Sequence, residues 1–180
     1  IGAAGGTINT AANGLTIASL PAVDGALVKQ GAGTLTVTGT TVLTTAGSFD
    51  VQAGNLALNQ ASGTVTVSQN STLTGNLVLG GPIRFNVEAG VTVAGTGQLR
   101  VATTGTLITH SNSSLGGTIN TAVALNSAAA PFTPASWSGT TYTPGSFVTT
   151  IGGTSGGTLT IGGVISGDSD VDFANNSTTG

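Results

Sequence analysis

Apolar residues fall at every second position in short runs along the chain, and glycine-containing steps separate the runs. Leu35-Thr36-Val37, Leu56-Ala57-Leu58, Val65-Thr66-Val67, Leu77-Val78-Leu79 and Ile83-Arg84-Phe85-Asn86-Val87 follow this period of two, as do Val91-Thr92-Val93, Leu99-Arg100-Val101, Leu159-Thr160-Ile161 and Val171-Asp172-Phe173. A pleated strand turns alternate side chains to opposite faces, so each run predicts a strand with aliphatic groups on one side and mostly polar groups on the other. The runs are three to six residues long. Between them, Gly-Gly, Ala-Gly and Gly-Thr steps supply tight corners and positive φ.

A second pattern ties the runs together. Gly-Thr-(Leu/Val/Ile) begins at Gly6, Gly33, Gly63, Gly105, Gly117 and Gly157, with first gaps of 27 and 30 residues and a near relative at Gly90. The heptapeptide Gly5-Gly6-Thr7-Ile8-Asn9-Thr10-Ala11 recurs without change as Gly116-Gly117-Thr118-Ile119-Asn120-Thr121-Ala122. Recurrence of one turn-plus-strand unit is the mark of a solenoid, whose coils bury their apolar faces only by stacking. The expected fold is therefore all-β: a parallel β-helix of about 20 to 30 residues per coil, roughly six to nine coils and 30 to 45 Å long at about 4.8 Å per coil.

Composition agrees with this architecture. Glycine, threonine and serine fill 79 of the 180 positions, whereas charged residues make up 5% against about 25% in an average domain. Scarce strong helix formers and abundant Thr, Val and Ile disfavour helices. Outward hydroxyls and amides solvate a stacked surface without placing like charges above one another. Three cations cannot neutralise a phosphate backbone, so nucleic acid is excluded as an expected partner. No apolar run reaches the about 18 residues of a membrane helix, so no membrane insertion of this segment is expected. Cysteine and methionine are both absent, and a chain that starts Ile1-Gly2-Ala3 is expected to be a processed or excerpted piece of a longer or polymerising protein.

The organisation expected is one β-solenoid domain over 1–180, with more regular coils over 1–126, a loop excursion over 127–147 and terminal coils over 148–180. The excursion rests on residues 131–147, which hold three of the five prolines and four of the seven aromatics. Proline cannot donate to a ladder, so this stretch is expected to leave the coil.

Leu27-Val28-Lys29-Gln30-Gly31-Ala32-Gly33-Thr34-Leu35, with the return through Ala46-Gly47-Ser48-Phe49 and Ala53-Gly54-Asn55-Leu56-Ala57-Leu58, resembles the autotransporter-associated β-strand repeat. That resemblance implies a right-handed parallel β-helix in a secreted or bacterial cell-surface passenger, commonly an adhesin or a structural stalk. Outside residues 27–58 the chain shares the family's style of Gly-Thr-Leu strands and Ala-Gly corners.

Candidate sites are few. Phe132, Trp137, Tyr142 and Phe147 compose an expected binding patch for a glycan or surface receptor, or else a packing surface. Asp168, Asp170 and Asp172 alternate along one side of a strand, and such a row of carboxylates is expected to be a solvated turn face or, alternatively, a calcium site, although Phe173 stands where an EF-hand needs glycine and no Glu closes a loop. No other cofactor is expected. Asp24, Asp50, Glu88, Lys29, Arg84 and Arg100 are scattered, and His110 lies in an expected turn without an acid partner in sequence, so no catalytic residues are assigned. Thr-x-Thr pairs at Thr34/Thr36, Thr64/Thr66, Thr72/Thr74 and Thr158/Thr160 raise ice binding, which requires the same pair on the same face of most coils. The leading expectation is a non-catalytic extracellular rod that continues into further coils or associates end to end; an adhesin acting through 131–147 is the alternative, ahead of ice binding or polysaccharide cleavage.

Overall fold

The computed structural model describes residues 1–103, 106–110, 116–125, 136–138, 141–143, 148–154, 158–167 and 170–176. Among them every regular element is a strand, and the chain winds as a three-sided coil. The first winding holds β1 (Gly6–Asn9), β2 (Leu15–Ile17) and β3 (Leu20–Val23); the second holds β4 (Ala26–Gln30), β5 (Thr34–Val37) and β6 (Thr41–Leu43). Next come β7 (Ser48–Val51), β8 (Asn55–Leu58) and β9 (Thr64–Val67), then β10 (Ser71–Leu73), β11 (Asn76–Leu79) and β12 (Arg84–Val87). Strand β13 (Thr92–Val101) runs through two faces before β14 (Leu107–His110), and β15 (Gly117–Leu125) does the same. After it lie β16 (Ser136–Ser138), β17 (Thr141–Thr143) and β18 (Val148–Thr154), followed by β19 (Leu159–Ile161), β20 (Ile165–Gly167) and β21 (Asp170–Asn176).

Strands of successive windings pair in parallel. The first face runs β1-β4-β7-β10-β13-β15-β19 and the second β2-β5-β8-β11-β13-β15-β20, with β13 and β15 contributing one half to each. The third face is interrupted: β3 pairs β6, and a separate ladder joins β9, β12, β14, β18 and β21. Between β6 and β9 side chains replace the ladder, as Gln60 Oε1 accepts from Thr41 N at 2.8 Å and Gln69 Nε2 donates to Thr45 O at 2.8 Å. This is the parallel β-solenoid expected from the alternation.

One winding takes 20 to 22 residues over most of the rod, since Gly6 faces Leu27, Leu27 faces Phe49, Leu35 faces Leu56 and Val65 faces Phe85. The gaps of 27 and 30 between Gly-Thr-aliphatic signatures are therefore not the repeat. Gly6 opens β1 on the first face, Gly33 precedes β5 on the second, and Gly63 precedes β9 on the third. Each recurrence advances by one winding plus one face. The expectation of strands no longer than six residues also fails at β13 and β15, which have 10 and 9 residues, because a corner has been absorbed into each.

Inward side chains stack into columns. On the second face Leu15, Leu35, Leu56, Leu77, Leu99, Val123 and Ile165 form one column, and Ile17, Val37, Leu58, Leu79, Val101, Leu125 and Gly167 form the next. Leu35, Leu56, Leu77 and Leu99 are each 0% exposed. Burying one such side chain fully stabilises by about 1.5 to 3 kcal/mol, so the thin core is supported by its continuity and not by bulk. Outward residues stack too: Asn55 Nδ2 donates to Thr34 Oγ1 at 3.2 Å, and Asn76 Nδ2 donates to Asn55 Oδ1 at 3.0 Å.

The corner between the first and second faces tightens along the rod. It spans nine residues from Gly6 to Leu15, eight from Leu27 to Leu35, seven from Phe49 to Leu56 and six from Ser71 to Leu77, ending at four from Ile119 to Val123. Glycine occupies this corner because the backbones touch there. A Cβ at Gly33, Gly54, Gly75 or Gly97 would strike, respectively, the carbonyl of Asn13, Gly33, Gly54 or Gly75 in the preceding winding. Gly54 also sits at φ +64°, where other residues are strained.

Candidate functional site

The least expected residue in the core is the sole lysine. Lys29 belongs to the inward row of β4, two positions after Leu27, and is 0% exposed. Its Nζ donates to Gln30 O at 2.9 Å, Gly31 O at 2.8 Å and Ala53 O at 3.0 Å. The three donors of an ammonium thus meet three backbone carbonyls, two in its own winding and one in the next. Desolvation holds the Lys29 ammonium below its ordinary range. An amine closed off in this way cannot serve as a surface nucleophile, and its physical role is to join two corners. Sequence reading counted Lys29 among scattered charges; the period-two phase shared with Leu27 was the signal that placed it inside.

The charges of residues 24–100 other than Lys29 are spread over the three faces. Asp50 stands on the first face, where Gln52 Nε2 donates to its Oδ2 at 2.8 Å and Gln30 Nε2 in turn donates to Gln52 Oε1 at 3.0 Å. Arg100 is on the second face in β13, and Arg84 begins β12 on the third. Asp24 and Glu88 follow third-face strands three windings apart, which is about 14 Å along the axis. No group of three or more His, Asp or Glu residues converges among the described residues. His110 closes strand β14 instead of lying in a turn, because Val87 provides a ladder partner.

Of the stretch 131–147 the described residues are 136–138 and 141–143, and the prolines lie outside them. Strands β16 and β17 pair antiparallel with each other alone, and Trp137 stands directly opposite Tyr142. Directly opposed residues share one face of a two-stranded ribbon. Phe132 and Phe147 lie outside the described residues. Of the acidic row, Asp168 also lies outside them, while Asp170 and Asp172 occupy β21 at positions opposite Val148 and Thr150.

The Thr-x-Thr pairs are divided among faces. Thr34 and Thr36 are in β5 on the second face, Thr64 and Thr66 in β9 on the third, and Thr72 in β10 on the first. Thr72 faces Asp50 on one side and Ala94 on the other, and Thr64 faces Arg84. The uniform threonine plane that ice binding requires is not formed by these residues.

The geometry thus presents a stapled corner, a two-stranded antiparallel ribbon and strand edges at the ends of the ladders. No family model, curated protein or solved structure matches the chain.

Proposed function

We propose that this chain is a non-catalytic structural element, a β-solenoid rod that forms part of an extracellular or cell-surface stalk or fibre. The observation that carries the reading is the investment of the sequence in axial continuity. Core columns, amide ladders and corner glycines repeat from winding to winding, while no group of three or more acidic or histidine residues converges among the described residues. Such a body continues the same ladders from winding to winding and transmits load through their hydrogen bonds. The resemblance of residues 27–58 to autotransporter passengers agrees with a bacterial surface location.

Antibodies against the purified chain should label intact producing cells, and negative-stain images should show rods of constant width. Labelling that needs permeabilised cells would overturn the location, and compact round particles would overturn the mechanical role.

A second reading, an adhesin, is favoured by the hairpin alone, since Trp137 and Tyr142 are opposed on a ribbon that takes no part in the coil. Under that reading Trp137→Ala with Tyr142→Ala abolishes adhesion to glycan or host-surface arrays while the far-ultraviolet circular dichroism stays unchanged.

A further inference from the structure

On the first and second faces the end strands have an edge without a partner among the described residues: β1 and β2 pair only β4 and β5, and β19 and β20 pair only β15, whereas the third-face end strands β3 and β21, also paired on one side only, carry Pro21 and Asp170 with Asp172. Proteins that remain separate guard such edges with charges or prolines. The strands Gly6–Asn9, Leu15–Ile17, Leu159–Ile161 and Ile165–Gly167 contain neither. Among the described residues three of the four exposed large hydrophobics, Leu15, Val164 and Ile165, lie at these two ends.

The ends also match each other. The column that is 0% exposed from Leu35 to Val123 terminates in Leu15 at 43% on one side and Ile165 at 37% on the other. Its neighbour terminates in Ile17 at one end and in Gly167, which has no side chain, at the other. A copy translated along the axis sets Leu15 on Ile165, as Leu99 is set on Val123 within the chain, and sets bulky Ile17 against Gly167.

We propose that a second copy of this chain docks head to tail, the β1–β2 edge of one rod extending the β19–β20 edge of another. The inference rests on the rod reading above. The contact joins different surfaces of the two copies and does not close, so it propagates into a fibre.

Sedimentation of the wild-type chain should show mass rising with concentration, and images should show lengths growing in steps of one rod at constant width. Leu15→Asp and Ile165→Asp should each stay monomeric to about a hundredfold higher concentration, with wild-type circular dichroism. Val164→Arg, at the most exposed of these side chains, supplies a second variant of the same end should Ile165→Asp fail to fold. An equimolar mixture of a Leu15 variant with an Ile165 or Val164 variant should then give one-to-one heterodimers, since each retains one intact end. A wild-type chain that is monomeric at every concentration, variants that assemble as wild type, or a mixture that does not pair would overturn the proposal. Separate elongated monomers would overturn stacking and leave the rod reading standing; compact particles would overturn both.

Discussion

The heptapeptide Gly-Gly-Thr-Ile-Asn-Thr-Ala appears twice and takes two shapes. At residues 5–11 a strand stops at Asn9, and the chain turns with Asn9 Oδ1 accepting from Ala11 N at 2.8 Å and Ala11 at φ 48°. At residues 116–122 the strand continues to Leu125, and Thr121 Oγ1 donates to Gly97 O of the preceding winding at 2.6 Å. The residues that follow decide between them: Ala12-Asn13-Gly14 favours a turn, whereas Val123-Ala124-Leu125 continues a buried strand. Neighbours decide as well, because the second copy lies between β13 and β19 while the first touches only β4. Their ladder positions differ by two, since the column that holds Gly6 leads to Ile119, and a shift of two keeps inside and outside unchanged.

Identical substitutions in the two copies test this directly. A Cβ at Gly117 would meet the Val87 carbonyl at 2.6 Å and the Val87 Cβ at 2.9 Å, whereas one at Gly6 meets only the flexible Ile1 side chain, at 3.1 Å for Cδ1. Gly117→Ala should therefore cost about 3 kcal/mol or more and Gly6→Ala under about 1, read as shifts in denaturant midpoint. Equal costs would mean that the two sites are alike after all. Thr121→Val should cost about 1 to 2 kcal/mol because it leaves the Gly97 carbonyl without its short bond, and Thr10→Val, whose Oγ1 reaches Gln30 O at 3.3 Å, less than about 1. The order reverses at asparagine: Asn9→Ala loses the turn bond and about 1 kcal/mol, and Asn120→Ala, exposed on the rod, under about 0.5.

The smallest expected difference is a slope. Lys29 stacks on Ile8 of the first copy, and no lysine borders the second. Because its folded pKa lies below 10.5, the unfolded chain holds more protons in the interval between the two values. Stability from this group should rise with pH across that interval, and below it the full cost of the buried charge is present. Denaturation midpoints measured at successive alkaline pH values should show this rise in the wild type and lose it in Lys29→Met. Hydrogen exchange should place the change near residues 8–53 and leave 116–125 unaltered.

Much of this architecture is legible in alternation alone. Leu35, Val37, Val65, Val67, Leu77 and Leu79 are all inward as the period of two requires, because a strand offers only two sides and water takes one. The winding length is harder to read. Gly-Thr-aliphatic marks a corner of any face, so its spacing mixes face steps with whole windings. Lys29 was misjudged by residue type: an inward phase outranks the usual exposure of lysine where carbonyls stand ready to receive it. The aromatic stretch is legible only in part, since prolines disfavour a ladder without specifying what the aromatics touch.

The carbonyl clamp on Lys29 shields the only lysine side chain of this protein from amine-directed chemistry. Acylation, glycation or cross-linking at a lysine needs a free ε-amino group, and the single one in the chain is sealed behind three peptide oxygens. Coupling to a bead or a fluorophore through lysine would first have to open the wall of the tube, so uptake of such a reagent at this position reports breathing between the second and third windings.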